Sequence, residues 1–244
     1  MRKLLIVNVI SILFAGLIII LFTNHHQKEL TDSLSKKIES GNHDRKVVLL
    51  LGSSVTQGIG ASDPQISWAG QLYRQLKRQN PEVVFLNLGT GGYTTKDIIN
   101  NTLKTTTNLN AEGLTPDVII YETSLINDFQ KLNLTQSKHY VEQAINRLSI
   151  QFPDAKIYLM PPNDVTLYDG RPNAQHLTYQ EYVHLVGDFI KGEGWTYIDF
   201  WKNYEEIARK KGLELSNTLE NDRKHPNDQG YNIWYQAIKN KIEL

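Results

Sequence analysis

Five short apolar runs are spread along the chain, and their pattern limits the fold more than any other feature. They are Val47–Leu51 (VVLLL), Val83–Leu88 (VVFLNL), Asp117–Tyr121 (DVIIY), Lys156–Met160 (KIYLM) and Thr196–Phe200 (TYIDF). Their near-continuous apolarity, rather than alternation, marks strands covered on both faces, as in a parallel sheet. Amphipathic segments lie between and after them: Trp68–Gln79, Thr95–Lys104, Gln136–Gln151, Tyr179–Lys191, Tyr204–Lys211 and Asp228–Ile242. Thr178-Tyr179-Gln180-Glu181 reads as a capping box, and Pro81 and Gly192 stand where helices should stop. Alternating strand and helix predicts an α/β fold, a three-layer α/β/α sandwich on a parallel sheet. Ligand chemistry in such a fold sits at the carboxyl ends of the strands. One domain accounts for residues 46–244.

The N-terminus carries a separate signal. Leu4–Phe22 contains no charged residue and is interrupted only by Asn8, Ser11 and Gly16. As a helix this run spans about 28 Å, close to a bilayer's hydrocarbon core. It ends in Phe22-Thr23-Asn24-His25-His26, without a convincing small-x-small cleavage site. Residues 1–22 therefore read as a membrane anchor, a single N-terminal transmembrane helix. Arg2 and Lys3 precede it, which puts the N-terminus in the cytoplasm and the remainder outside. Late cleavage would yield a secreted protein in the same compartment. Residues 23–45 are polar and read as a linker. His25, His26 and His43 lie in it without a metal-site spacing, so a solvated linker is preferred to a metal site.

Composition excludes several classes. The chain has 26 basic and 26 acidic residues, with no concentrated basic stretch, which argues against nucleic-acid binding. It has no cysteine, so disulfides, thiolate metal sites and a cysteine nucleophile are absent. Oligomeric state is not encoded in any readable pattern.

Four loops hold the unusual residues: Gly52–Gly58 (GSSVTQG), Asn87–Thr95 (NLGTGGYTT), Ser124–Asp128 (SLIND) and Asp222–Asn227 (DRKHPN). The glycines do not make a phosphate loop. Gly52–Gly60 lacks the Lys-Ser/Thr pair, and Thr94 stands where a third dinucleotide-binding glycine would be. Each glycine alone could be a tight strand-to-helix turn.

Together the four loops resemble the SGNH hydrolases, the GDSL esterase/lipase family, with its blocks in order from Leu51 to His225. The family's G-D-S-x-T-x-G is matched by Gly52–Gly58, which makes Ser54, not Ser53, the implied nucleophile. N-x-G-x-x-G-x-T is matched by Asn87–Thr94, which nominates Gly92 for the oxyanion hole. The third block supplies Asn127 beside Asp128, and D-x-x-H-P supplies Asp222 and His225. The resemblance implies a flavodoxin-like SGNH fold, a Ser54–His225–Asp222 triad, and an oxyanion hole from the N–H groups of Ser54 and Gly92 and the Asn127 amide. It requires no cofactor and no metal. Two positions depart from the pattern: Ser53 replaces the family's Asp, and Leu125 replaces a Gly. Ser53 points to altered hydrogen bonding at the nucleophile turn; Leu125, with Glu122 at an otherwise apolar strand end, points to a divergent subfamily and a reshaped acyl or alcohol pocket.

The residue types suit the chemistry. A serine hydroxyl needs a base to take its proton, and an imidazole, titrating near ~6.5 in water, is suited to that role. A carboxylate three residues earlier can hold its tautomer. For Asn227 a helix-cap role is preferred. His139, His176 and His184 are expected to be structural or exposed, and Asp128 to support its loop. Asp164 and Asp169 could line a substrate groove or simply belong to a polar loop. The expected function is an extracytoplasmic serine esterase removing O-acyl groups, most simply acetyl, from a cell-envelope or extracellular glycan. Its partners would be an acylated glycan or lipid ester and, through the N-terminal helix, the membrane. Rival readings are an O-acyltransferase to a glycan hydroxyl, a lysophospholipase or thioesterase, and a non-catalytic glycan-binding protein on the same fold.

Overall fold

The computed structural model describes residues 45–244. The anchor expected over residues 1–22, the linker over 23–45 except its last residue, and His25, His26 and His43 lie outside the described residues. Among the described residues no helix is long and apolar enough to cross a membrane.

Val47–Gly52 forms β1 and is buried along its whole length. It pairs in parallel with β2 (Val84–Gly89) on one side and β3 (Val118–Glu122) on the other, and β4 (Lys156–Met160) pairs with β3. The spatial order is β2-β1-β3-β4. The chain moves one way from β1 to β2 and the other way from β2 to β3 and β4. Right-handed crossovers then put the first connecting helix on one face and the later ones on the opposite face. The crevice at this switch, above β1 and β3, is where such sheets place their ligand sites.

The helices follow that rule. The one-turn α1 (Ser54–Gln57) leaves β1, and α2 (Trp68–Gln79) forms the first crossover. Next come α3 (Thr95–Asp97), a π-helical turn at Ile98–Thr102, and α4 (Leu103–Ala111). The short α5 (Leu125–Asp128) follows β3, and α6 (Leu134–Gln151) leads to β4. The last helices are α7 (Tyr179–Gly192), α8 (Trp201–Lys210) and α9 (Asp228–Ile238), with a 3-10 turn at Leu215–Thr218 between α8 and α9. Helix α9 packs on α2 and α8, while α6 packs on α3, α4 and α7. These are the two outer layers of the expected α/β sandwich.

Several boundaries differ from the sequence expectation. The fifth strand, Thr196–Phe200, is reduced to a single parallel bridge between Tyr197 and Leu159. Only Ile198 and Phe200 are buried there, and α8 begins at Trp201, so there is no room for a longer ladder. Helix α6 starts two residues early because Asn133 and Gln136 form a capping box. The Thr178–Glu181 box forms as read, but Gly192 is the last residue of α7 rather than its stop. Helix α9 ends at Ile238, short of Ile242.

The core on the α2–α9 face is aromatic. Trp68 and Trp234, both fully buried, stack with centroids 5.6 Å apart, and Phe200 stacks on Trp234 at 4.7 Å. Trp68 Nε1 also donates to the Val55 carbonyl in α1 at 3.1 Å, so this cluster braces the turn that carries Ser54. Trp234→Ala is expected to destabilise the fold by roughly 3–5 kcal/mol, the usual cost of truncating a buried Trp. Urea unfolding checks this as a lower midpoint with an unchanged slope.

Candidate active site

Level strand ends bring the loops together. Gly52 at the end of β1 lies opposite Gly89 at the end of β2, and Leu51 lies opposite Tyr121 in β3. Residues just beyond these positions therefore emerge at one edge of the sheet. Ser54 opens α1 there and is 4% exposed.

The loop after β2 is tied to this turn. Asn87 Nδ2 donates to the Thr56 carbonyl at 2.8 Å, and its Oδ1 accepts from Gly89 N–H at 2.9 Å. Gln57 Oε1 accepts from Gly91 N–H at 2.9 Å. Gly92 follows with φ +78°, and nothing stands within 4 Å of where its Cβ would be. The glycine is required there by its left-handed backbone, not by crowding. In α5, Asn127 Nδ2 donates to the Tyr93 carbonyl at 2.9 Å, joining the second and third loops. Its Oδ1 accepts from Lys224 Nζ at 2.8 Å.

The last loop closes the site. His225 Nε2 is 2.8 Å from Ser54 Oγ, and His225 Nδ1 is 2.5 Å from Asp222 Oδ2. The other carboxylate oxygen, Asp222 Oδ1, accepts from the backbone N–H groups of Lys224 and His225, each at 2.9 Å. Burial works to raise the Asp222 pKa, but these N–H groups and the imidazole together hold the carboxyl below its ordinary range. An anionic carboxylate is thus fixed against the ring nitrogen remote from Ser54. This arrangement can take the hydroxyl proton and stabilise the resulting imidazolium.

Sequence reasoning left three supports unassigned. Asn163, 2% exposed, donates to the Lys224 carbonyl at 2.9 Å, and Leu167 N–H donates to the Arg223 carbonyl at 3.0 Å. The loop after β4 therefore holds the His225 loop in place. No motif signals this, because the two loops are far apart in sequence. Asn87 opens the second loop block, whose pattern assigns it no role.

The third support is Glu122, whose lone carboxylate at an apolar strand end was its only signal. Glu122 Oε2 accepts from Ser53 N–H at 2.7 Å, Ser53 Oγ at 2.9 Å and Thr56 Oγ1 at 2.9 Å. The Ser53 departure is thereby explained: where the family pattern has a carboxylate in the turn itself, here one reaches the turn from β3. A side chain at Gly52 would strike this carboxylate at 2.5 Å. Leu125, the other departure, is fully buried and belongs to the core rather than to a solvent-facing pocket wall.

The remaining candidates sit as follows. Asp128 accepts from Thr95 N–H at 2.8 Å, Thr95 Oγ1 at 2.7 Å and Ser137 Oγ at 2.6 Å, a bracing arrangement. Asn227 caps α9 through Gly230 N–H. His139 contacts Gln143, and His184 meets Trp201 edge-on. His176 lies in a turn with φ 60°. Asp169 pairs with Arg223 at 3.8 Å. Asp164 bonds Val165 N–H and Gln180, and lines a cavity of about 600 Å³ with Trp201, Tyr204 and Glu205.

Burial pushes Glu122 up to about 8, although its three donors pull the other way, and burial likewise pushes Asp128 up to about 6. Between 4.5, the ordinary Glu value, and about 8, the native protein therefore holds more protons than the unfolded chain. The stability linked to Glu122 is fully present below that window and is lost as pH rises through it. Glu122→Gln should flatten the decline of Tm across the window and raise Tm relative to the parent protein at its alkaline end. Thermal melts in a pH series check this.

Comparison with known proteins follows the same lines. The family model of the GDSL-like lipase/acylhydrolase family matches residues 50–233. No curated protein matches the sequence. Among solved structures, the chain is similar to a two-domain esterase (CEX) active on acetylated mannans, with TM-score 0.58 and 19% identity. That match covers 88% of this chain and 51% of the other, so the chain spans about half the length of that esterase. It is also similar to an acetyl xylan esterase, AlAXEase, with TM-score 0.61 and 17% identity over 81% of this chain and 100% of that one. A lipase/acylhydrolase from Enterococcus faecalis gives TM-score 0.56 and 19% identity over 81% and 97% of the two chains. At these identities the likeness is one of fold.

Proposed function

The chain belongs to the GDSL-like lipase/acylhydrolase family, and on that footing we propose that it is a serine esterase of the SGNH type that removes O-acyl groups, acetyl foremost, from a cell-envelope or extracellular glycan. The observation that carries the reading is the continuous line from Ser54 Oγ through the His225 imidazole to Asp222.

In the proposed reaction Ser54 Oγ attacks the ester carbonyl carbon while His225 Nε2 takes the hydroxyl proton. Asp222 stabilises the imidazolium through Nδ1. The carbonyl oxygen becomes an oxyanion, met by the N–H groups of Ser54 and Gly92 and by the Asn127 amide. Collapse breaks the ester C–O bond, and His225 returns the proton to the departing alcohol oxygen. Water, activated by the same imidazole, then hydrolyses the acyl-Ser54 ester.

The glycan substrate is supported by two similar folds, described as acting on acetylated mannans and as an acetyl xylan esterase. Action outside the cytoplasm is supported by the uncharged Leu4–Phe22 run behind Arg2 and Lys3.

Purified protein is expected to hydrolyse p-nitrophenyl acetate and to release acetate from acetylated xylan or mannan. Ser54→Ala should lower kcat by roughly 10³-fold or more, and Asp222→Ala by roughly 10²–10⁴-fold. Full turnover by Ser54→Ala would refute the nucleophile assignment. Hydrolysis of the small ester without acetate release from either polymer would refute acetylated xylan and mannan as substrates. Protease treatment of intact cells should degrade the catalytic domain if it lies outside the membrane.

A further inference from the structure

Lys224 stands one residue before the base, and no step above uses it. Its backbone and its side chain face different partners. The carbonyl is held by Asn163 Nδ2 at 2.9 Å, and the N–H by Asp222 Oδ1 at 2.9 Å. With both backbone groups fixed, the side chain reaches across 97 positions of sequence to place Nζ 2.8 Å from Asn127 Oδ1. Its only side-chain hydrogen bond among those described is thus to a residue of the oxyanion hole.

We propose that Lys224 is a positioning residue for catalysis, which locks the Asn127 amide in its donating orientation and brings a positive charge behind the oxyanion hole. The proposal rests on the serine-esterase reading, with Asn127 as an oxyanion donor.

The two contacts of the Asn127 side chain fix its orientation. Oδ1 faces an ammonium, and Nδ2 faces the Tyr93 carbonyl. Turning the amide over would set an NH2 group against the ammonium and a carbonyl against a carbonyl, so both contacts would become repulsive. One Nδ2 hydrogen is used by Tyr93, which leaves the other for the oxyanion. The ammonium on Oδ1 also draws charge from the amide, making that hydrogen a stronger donor as negative charge develops. Asn127 by itself, on the short α5, has no such guarantee of orientation.

The charges around Lys224 fit this role. Burial depresses its pKa and Lys131 adds to that, while Asp222 and Glu122 oppose it. Lys131 Nζ itself donates to the Gly92 carbonyl at 3.3 Å, placing a second cation beside another residue of the proposed oxyanion hole. A developing oxyanion would relieve the mutual repulsion of the two lysines, an interaction stronger in the transition state than in the free enzyme.

The test is a double-mutant cycle on the full chain with p-nitrophenyl acetate, comparing Lys224→Met, Lys224→Arg, Asn127→Ala and Lys224→Met/Asn127→Ala. Lys224→Met should lower kcat about tenfold with KM within about twofold, since it weakens a donor instead of removing it. Lys224→Arg should recover most of the loss. In the Asn127→Ala background, Lys224→Met should cost less than about twofold. The parent protein should lose kcat at alkaline pH as Lys224 gives up its proton, and Lys224→Arg should lack that limb. An unchanged kcat in Lys224→Met, or an equal loss in both backgrounds, overturns the proposal while leaving the esterase reading intact. No turnover by the parent protein overturns both. If Lys224→Met fails to fold, neutral Lys224→Gln takes its place, and a kcat equal to that of Lys224→Arg overturns the proposal.

Discussion

The in-register parallel pairing of β1 with both of its neighbours governs most of what this protein can do. Gly52 and Gly89 end their strands side by side, and β3 ends level with them at Glu122, one position past the Tyr121 that faces Leu51. Three loops consequently leave the sheet at one level. Because β1 is buried on both faces and flanked on both edges, it cannot slide without exposing five apolar side chains. The short turn at Ser54 inherits that rigidity. Trp68 supports it from one side, through Val55, and Asn87 from the other, through Thr56.

A second layer of order is electrostatic. Glu122, Asp128 and Asp222 brace three different loops, and each does so by accepting backbone N–H as well as side-chain hydrogen bonds. Glu122 holds the nucleophile turn, Asp128 holds the start of α3, and Asp222 holds the loop of the base. The first two are buried and pushed toward the neutral form, whereas Asp222 remains half exposed and is pulled toward the charged form. Their environments separate carboxyl groups that organise the site from the one positioned to act on the imidazole. Lys224 lies between Asp222 and Asn127, its N–H on the carboxylate and its ammonium on the amide oxygen, and so joins the loop of the base to α5.

The relation to known folds has the same character. Solved structures with under 20% identity keep this architecture, among them two esterases described by their acetylated polysaccharide substrates. Such distance is tolerated because the sheet requires only apolar strands and level ends, while the chemistry requires few residues. The Ser53 and Glu122 pair illustrates the latitude: the turn lacks the pattern's carboxylate, and one on the neighbouring strand accepts from the Ser53 backbone N–H.

The alternating apolar runs and amphipathic segments determined the α/β class, four of the five strands and most of the helices, because burial on both faces leaves a local imprint on sequence. The four loop blocks nominated Ser54, Gly92, Asn127, Asp222 and His225 through their resemblance to a family pattern, and the fold brings Ser54, His225 and Asp222 into one hydrogen-bonded line. Tertiary structure alone decided the rest. Ser54 and His225 are 171 positions apart, and no local pattern encodes the 2.8 Å between them. The fifth run resembled the others but had only one bridge's space before α8, a limit set by packing rather than by propensity. The partners of Glu122, Asn163 and Lys224 come from remote loops, so their roles appear only when the chain is folded. Long-range hydrogen bonds are chosen by where strands end, and that is a property of the whole sheet.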